Sequence, residues 1–595
     1  MVNSAKRLAI LWGGAAGQGM ASIGVILSKY LNRLGYYVHA VPGTQSTIRG
    51  GHIWIQVEFS AEKIYAYDRR LNFIVALTTQ TIDVHLRDLE SNSVLLYDSE
   101  KVDVSTFQDE LNRKDIKCLP IPLSSLAKDI DKRKSVLINT ISIGVIISYL
   151  QLPREQLLDV IKEQFEDKSA LAEINQQAFT SGWKYHQENS DLRINIEKPQ
   201  DPAENYIVLN GNDAFSIGAV AAGLKFLAQY PITPASSTLS YIAKHAKRYG
   251  VTVTLAEDEL AALQMVVGAS FAGVRAMTAT SGPGVSLMAE TLGYASCTET
   301  PCVLMNSMRG GPSTGVPTKM EQSDLFPVIW ASHGESPRAV FAPRSIAECF
   351  DISVKAFNIA DKYQMPVIVL LDFHLSFFNE NIPEPDLNVK IERGLIWEKS
   401  TDEFPVFKRF QLTEDGISPR AFPPNPDAIH ILVGAEHDES SHSMSGNRCG
   451  LPEFRDMRIK QVKKRMKKLD VLAENDMSLP EWFGPENAEK TLICWGTTTG
   501  AVKETVRQLN LLDGCKWNAL TFSDLFPLSK SKLEPELKKI QHGVMVEMNF
   551  TGQFETLICN VTGWKPQGTS IRILDGEPPS AKYLIEELKL NGEVA

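Results

Sequence analysis

Three successive α/β domains are what this sequence predicts, and three observations carry that prediction. Residues 7–12 form a buried-strand pattern that enters a glycine turn and then an amphipathic helix, Ala21–Leu34. In the middle of the chain two strands, Val274–Thr278 and Cys302–Asn306, each run into loops of Gly, Ser, Thr and Pro. Parallel sheets bind ligands at such strand ends. After about residue 486 the strand and helix patterns return, enough for one more small doubly wound domain.

Size and charge agree with this layout. A chain of 595 residues corresponds to three or four domains, and 43% hydrophobic residues let each bury a core. The net charge of −10 excludes nucleic acid and anionic membranes as partners, since phosphate binding needs concentrated Lys and Arg. The one basic block, Arg458–Lys468, alternates with Val and Met at helical spacing and reads as a solvated or partner-facing helix. The eight cysteines include no C-x-x-C pair, so the chain shows no iron–sulfur or zinc site of its own. Scattered thiols fit a reducing compartment, the cytoplasm. The apolar N-terminal run is too short for a signal peptide, and Ser135–Leu152 is broken by Asn139, Thr140 and Ser142, too polar to span a membrane.

In the first domain, expected over 1–190, the turn Gly13–Met20 has the spacing G-x-x-G-x-G. That is not the dinucleotide spacing, and no acid closes the next strand, Tyr37–Val41, so a nicotinamide site is rejected. The glycines either bring backbone N–H groups to a phosphate or only allow tight strand–helix packing. Ser46–His52, with Arg49 among glycines, is either an anion loop or a plain hairpin before the strand Ile53–Phe59. Strands at Phe73–Leu77 and Ser93–Tyr97 and helices at Ser142–Leu150 and Leu157–Phe165 complete the domain; 191–205 is a polar linker.

The second domain, 206–378, opens with a small-residue turn, Asn210–Ala214, and a helix pattern over Ile217–Ala228. Tyr230-Pro231-Ile232-Thr233-Pro234-Ala235-Ser236-Ser237 follows. Its prolines stiffen the chain on both sides of Thr233, and Ser236–Thr238 offer N-caps for the next helix. Glu257-Asp258-Glu259 sits at the tip of a helix unusually rich in small residues, where the dipole favours acids. Dipole stabilisation accounts for two of the three; the third is a candidate buried acid. The strand Cys302–Asn306 ends near Arg309, whose planar fork suits a carboxylate or phosphate. Strands at Ala339–Phe341 and Val367–Asp372 follow, with the helix Ser345–Lys362 between them. Residues 379–485 lose the rhythm and read as an irregular connector or arm before the last domain, 486–595.

Taken together, Tyr230–Ser237, Glu257–Glu259, Thr280–Gly284, and Arg309–Gly315 with Gln322–Leu325 resemble the α subunit of 2-oxoacid:ferredoxin oxidoreductases. The N-terminal domain resembles that family's γ subunit, fused in front, and the segment with Val546–Asn549, Gly552 and Gln553 resembles its transketolase-C-like domain. The fused layout is most similar to the 2-oxoglutarate type. The resemblance implies thiamine diphosphate between a pyrimidine-binding domain, 206–378, and a β subunit whose Gly-Asp-Gly motif binds the diphosphate and Mg2+. Neither that motif nor a cysteine cluster occurs here, so the β chain is also expected to hold the [4Fe-4S] cluster. It implies Glu259 on the aminopyrimidine ring, Thr233 and Arg309 on the oxoacid, and Tyr230, Pro231, Ser281 and Gly282 about the cofactor. Gly14, Gly17, Gly19 and Arg49 would meet coenzyme A. Ferredoxin takes the electrons, and an α2β2 assembly is expected. Ala235 stands in a motif often written without it, leaving Thr233 in register. Two alternatives remain: a non-catalytic assembly subunit of the same fold, or a pyruvate, branched-chain or indolepyruvate enzyme.

Overall fold

The computed structural model describes residues 6–16, 18–43, 51–131, 136–166, 168–199, 205–512 and 516–594. The chain forms two compact units, Met1–Asn210 with Phe377–Glu384, and Gly211–Ser376 with Pro385–Ala595.

An eight-stranded sheet organises the first unit, in the spatial order Lys117–Ile121, Leu89–Asp98, Leu71–Ala76, Arg7–Ala15, His52–Ser60, Tyr37–Gly43, Asn379–Pro383, Tyr206–Leu209. The first four strands are mutually parallel and the remaining pairings antiparallel. The helix Leu137–Tyr149 is buried along nearly its whole length. Its polar residues have internal partners: Trp12 Nε1 donates to Ser142 Oγ at 3.0 Å, and Thr140 Oγ1 donates to Asn175 Oδ1 at 2.8 Å. Asn175 lies on the helix Ser169–Asn189, absent from the sequence-based expectations. The two helices meet at glycines: a Cβ on Gly144 would stand 2.2 Å from the Phe179 carbonyl oxygen, and one on Gly182 2.0 Å from that of Ile141. Among the described residues no helix is long and apolar enough to cross a membrane.

The strand Tyr206–Leu209, placed by the sequence with the second domain, pairs with Asn379–Pro383 in this first sheet. The edge left by Tyr37–Gly43 decides this, because an open edge carries unpaired N–H and C=O groups. Asn381 reinforces it, accepting from Val38 N at 2.8 Å and donating to Tyr36 O at 2.9 Å.

In the second unit a seven-stranded sheet runs Asp524–Phe526, Ala339–Phe341, Pro366–Asp372, Cys302–Met308, Arg275–Thr280, Leu224–Gln229, Thr252–Leu255. All but the first are parallel. A smaller sheet carries Glu481–Phe483, Trp517–Phe522, Lys490–Trp495, Gly543–Glu547 and Ile571–Arg572. The expected helix over Ile217–Ala228 is corrected: the helix is Gly211–Ala221, and Leu224–Gln229 is an inner strand. Gly223, at φ +88°, makes the break in a left-handed conformation that favours glycine. The expected turn at Asn210–Ala214 becomes the first turn of that helix for the same reason of register.

The segment 379–485 is mostly irregular but not loose. It has a small core of Trp397, Phe404, Ala421 and Ala428. Arg393 and Arg420 join Arg275 around the Asp361 carboxylate at 2.9–3.0 Å. The basic helix, Pro452–Asn475, expected as solvated or partner-facing, is solvated on one side only, with Arg458, Lys460, Lys463 and Lys467 exposed. Lys464, Arg465 and Lys468 are buried, because two acids from elsewhere lie under them. Lys464 Nζ is 2.6 Å from Glu299, which Lys468 also binds, and Arg465 pairs with both oxygens of Glu436 at 3.0 Å. Burial works against the charge on Glu299, yet Lys464, Lys468 and Arg409 hold it below the usual carboxylate range.

Breaking a buried pair strands a charge, at about 3–5 kcal/mol, whereas exposed pairs contribute about 0–1 kcal/mol. Glu299→Gln is therefore expected to lower the urea midpoint of unfolding far more than Arg458→Ala at the half-exposed Arg458–Glu436 pair. Equal shifts would count against burial of the basic helix as the anchor of this segment.

Candidate active site

The candidate residues of the second unit come from strand ends of the seven-stranded sheet. Leu224–Gln229 leads into the Tyr230–Ser237 turn, Arg275–Thr280 into Ser281–Gly284, and Cys302–Met308 into Arg309. Side-chain donors hold three consecutive carbonyls of the first turn. Arg309 Nη1 donates to Thr233 O at 2.8 Å, Asn212 Nδ2 to Pro234 O at 3.0 Å, and Gln229 Nε2 to Ala235 O at 3.0 Å. Arg309, expected with the Thr233 hydroxyl on one carboxylate, is thus brought beside Thr233 through the Thr233 carbonyl. Ser237 does not cap: its Oγ accepts from Asn212 Nδ2 at 2.7 Å, and the helix Ser236–Tyr249 starts at Ser236 with Ala235 in the N-cap position. Tyr230, Pro231 and Thr233 stay exposed.

The three acids separate cleanly. Glu257 is exposed before the helix, and Asp258 is its N-cap, accepting from Ala261 N at 2.7 Å. Glu259 begins the helix Glu259–Phe271 and is only 6% exposed. Among the described residues its carboxylate has no hydrogen-bond or ion-pair partner. It packs against the Ser281–Gly284 turn, where a Cβ on Gly284 would lie 2.0 Å from Thr280 Oγ1 and 2.7 Å from Glu259 Cγ. Large apolar side chains around this tip face outward: Leu255, Leu260, Met265 and Leu287 are each 40% exposed or more.

Two residues beside the site had no role read from the sequence. Asn306 Nδ2 donates to Asp324 Oδ2 at 2.9 Å, and that oxygen would lie 2.9 Å from a Cβ on Gly282. Burial pushes Asp324 up to about 6, with Glu321 adding and Asn306 and Arg309 opposing. Burial also lowers the Arg309 guanidinium, and Asp324 offsets part of that. Ser281 Oγ, Asn306 Oδ1 and Arg309 Nε are buried without hydrogen-bond partners. Orphaned buried polar atoms are rare enough to call for a ligand or water. The Gln322–Leu325 motif held the signal for Asp324, but only as part of a pattern.

The strap bearing Asp324 is fastened to the smaller sheet. Gln322 Nε2 donates to Trp495 O at 2.9 Å, and its Oε1 accepts from Met548 N at 3.0 Å. Asn549 Nδ2 donates to Gln322 O at 3.1 Å, and Gln553 Nε2 to Ser323 O at 2.9 Å.

In the first unit, Gly14 faces the Gln18 side chain, which accepts from Ala15 N at 2.7 Å; a Cβ there would lie 2.2 Å from Gln18 Oε1. Gly19, at φ +82°, opens the helix Met20–Arg33 with no side-chain cap. Gly17 and Arg49 lie outside the described residues.

Comparison with known proteins follows the same division. Residues 217–444 match the family described as pyruvate flavodoxin/ferredoxin oxidoreductase, thiamine diP-bdg, and residues 9–185 the one described as pyruvate ferredoxin/flavodoxin oxidoreductase. A 2-oxoacid:ferredoxin oxidoreductase subunit alpha from a Sulfolobus species is 31% identical over 98% of this chain and 96% of its own. The chain belongs to the 2-oxoacid:ferredoxin oxidoreductase family. Another relative is the 2-oxoglutarate synthase subunit KorA of Methanothermobacter thermautotrophicus, 36% identical over 59% of this chain and 89% of its own. A solved 2-oxoglutarate:ferredoxin oxidoreductase from Magnetococcus marinus, with 2-oxoglutarate, coenzyme A and succinyl-CoA bound, superposes with a TM-score of 0.88 at 32% identity, covering 98% of this chain and 99% of that one.

The oxidoreductase family implies thiamine diphosphate, and the residues present fit its aminopyrimidine end. Glu259 is 6% exposed overall, and its carboxylate, without a protein partner among the described residues, is left for a ligand or water. Gly284→Ala is expected to displace the Glu259 side chain while the helix stays formed; Gly268→Ala, with nothing within 4 Å of its Cβ, is expected to leave it in place. Crystal structures of the two variants check this, and an unmoved Glu259 in Gly284→Ala would refute the close fit.

Proposed function

We propose that this chain is the fused γ–α subunit of an enzyme that oxidatively decarboxylates 2-oxoglutarate to its coenzyme A thioester and passes the electrons to ferredoxin. The observation that carries the reading is Glu259, 6% exposed at a helix tip and without a protein partner for its carboxylate among the described residues, with Leu255 and Leu260 exposed beside it in the chain. The KorA relatives and the Magnetococcus marinus enzyme support 2-oxoglutarate as substrate.

In this reading 206–378 is the pyrimidine-binding domain, 1–190 the γ-type domain and 486–595 the transketolase-C-like domain. When bound, thiamine diphosphate supplies the carbon nucleophile and electron sink that decarboxylation of a 2-oxoacid requires. Glu259 would hold the ring through its carboxylate, with a ring nitrogen as its hydrogen-bond partner, from the first turn of its helix. Tyr230, Pro231, Ser281 and Gly282 shape the walls. Arg309, braced on the Thr233 carbonyl at 2.8 Å, keeps its remaining N–H groups for the oxoacid carboxylate, and the exposed Thr233 hydroxyl lies on the same turn. Gly14, Gly17, Gly19 and Arg49 are assigned to the phosphates of coenzyme A.

A second chain completes the site. The sequence has no Gly-Asp-Gly and no paired cysteines, so the diphosphate, Mg2+ and [4Fe-4S] are assigned to a β subunit. Leu255, Leu260, Met265 and Leu287 form the apolar surface that such a partner covers. An α2β2 assembly in the cytoplasm, with ferredoxin as electron acceptor, completes the proposal.

Co-expressed with a β chain, the protein is expected to reduce a one-electron dye with 2-oxoglutarate in a coenzyme-A-dependent manner, and with pyruvate far less. Glu259→Gln is expected to cut turnover by about 10²–10⁴, the usual worth of such acid–base help, while assembly persists on size exclusion. Normal turnover in that variant removes Glu259 from the role. Arg309→Lys is expected to raise KM for the oxoacid, because an ammonium cannot reproduce a bidentate fork; an unchanged KM points to another carboxylate site.

A further inference from the structure

Asp324 is placed where a second anion cannot enter without consequence. Its Oδ2 accepts from Asn306 at 2.9 Å and lies against Gly282, whose missing Cβ makes the approach possible. Its carboxylate and the Arg309 guanidinium attract each other without closing to a direct ion pair, so the guanidinium fork is not consumed. The acid also cannot swing away. Gln553 holds the chain on both sides of it, donating to Ser323 O at 2.9 Å and accepting from Phe326 N at 2.8 Å. Asp324 O itself accepts from Val328 N at 3.0 Å.

The other charged groups facing this corner are few. Glu321 is on the same strap, with Oε2 accepting from Gly311 N at 2.7 Å. Glu259 approaches from the helix tip through Gly284, and Arg309 comes from the strand end. The corner therefore holds three carboxylates and one guanidinium before any substrate enters. A substrate carboxylate bound at Arg309 adds a further negative charge in a poorly solvated place, and like charges sharing one site raise the affinity of one of them for a proton.

We infer that binding of an oxoacid carboxylate at Arg309 takes up one proton at Asp324, which acts as a positioning residue: ionised in the free site, where it balances Arg309, and neutral in the occupied one. This rests on the assignment of Arg309 to the oxoacid carboxylate. The proton comes from solvent, only the Oδ–H bond is made, and nothing is oxidised or reduced. Neutral Asp324 then turns from a competing anion into a donor, beside Asn306, whose Oδ1 is buried without a partner. The raised proton affinity that burial already confers on Asp324 makes the uptake small in cost near neutral pH. By linkage, substrate affinity weakens as pH rises above the free-site value of Asp324.

The experiment is calorimetric titration of 2-oxoglutarate into the assembled α–β complex stripped of thiamine diphosphate, so that no carbon dioxide leaves. Titrations at pH 7.0 in buffers of different ionisation enthalpy count the protons exchanged. An acid at about 6 is about nine-tenths ionised at pH 7, so uptake of roughly 0.5–0.9 proton per site is expected, falling toward zero by about pH 5. Between pH 7 and 8 the wild-type Kd is expected to weaken by up to about tenfold. Asp324→Asn keeps an acceptor for Asn306, and is expected to exchange no proton and to bind equally at both pH values. Glu321→Gln is expected to retain the uptake. Wild-type binding without proton uptake, or loss of uptake in Glu321→Gln, overturns the inference while leaving the Arg309 assignment standing. Binding by Arg309→Gln as tight as by wild type overturns that assignment and the inference with it.

Discussion

A backbone carbonyl at the end of a strand has left its ladder and still needs a donor. At Thr233, Pro234 and Ala235 that need is met by Arg309, Asn212 and Gln229, each from a different element of the same unit. The Tyr230–Ser237 turn is therefore held in one conformation before any ligand arrives, and Arg309 is aimed by the same bond that braces it. Preorganisation of this kind is what a site on a loop otherwise lacks. The Gln322 amide does the equivalent for the Asp324 strap, with its carbonyl and N–H groups both engaged by the smaller sheet. The C-terminal strands thus serve the site without contributing a group to its chemistry.

Charge burial organises the rest of the second unit. Glu299 under Lys464 and Lys468, and Asp361 among Arg275, Arg393 and Arg420, are costly to desolvate and add little net stability over well-packed apolar groups. Their effect is specific: an irregular segment with only a small core of its own has one place to sit. A wrong placement would strand several charges at once. That explains how a long stretch of Pro, Asp, Glu and Ser stays packed on the sheet that carries Arg309.

The active-site reading joins these two devices. A braced turn fixes Arg309, and the close approach at Gly284, in the first turn of the helix Gly282–Leu287, seats Glu259 where it has no protein partner among the described residues. A carboxylate so placed is an incomplete half of an interaction. The exposed apolar side chains Leu255, Leu260, Met265 and Leu287 are the other sign of incompleteness, and under the proposed function a cofactor and a second polypeptide would meet both.

Much of this was legible in the amino acids. Glycine, proline and N-cap signals are local, so the Tyr230–Ser237 turn, the helix tip at Glu259 and the Ser281–Gly284 loop stood out along the chain, in family order. Of the two glutamates there, Glu259 is buried and Glu257 exposed. Other features needed the third dimension. The break at Gly223 turned half of an expected helix into an inner strand, because a short apolar run takes its form from its neighbours. The strand Tyr206–Leu209 joined the sheet whose edge was open. The basic helix buries one of its sides, Lys464, Arg465 and Lys468, because Glu299 and Glu436 lie beneath it. Asp324 gained its neighbours only when three strand ends converged. Periodicity and turn chemistry are properties of a few consecutive residues; the pairing of charges and sheet edges depends on which remote segments arrive, and that is settled only by packing.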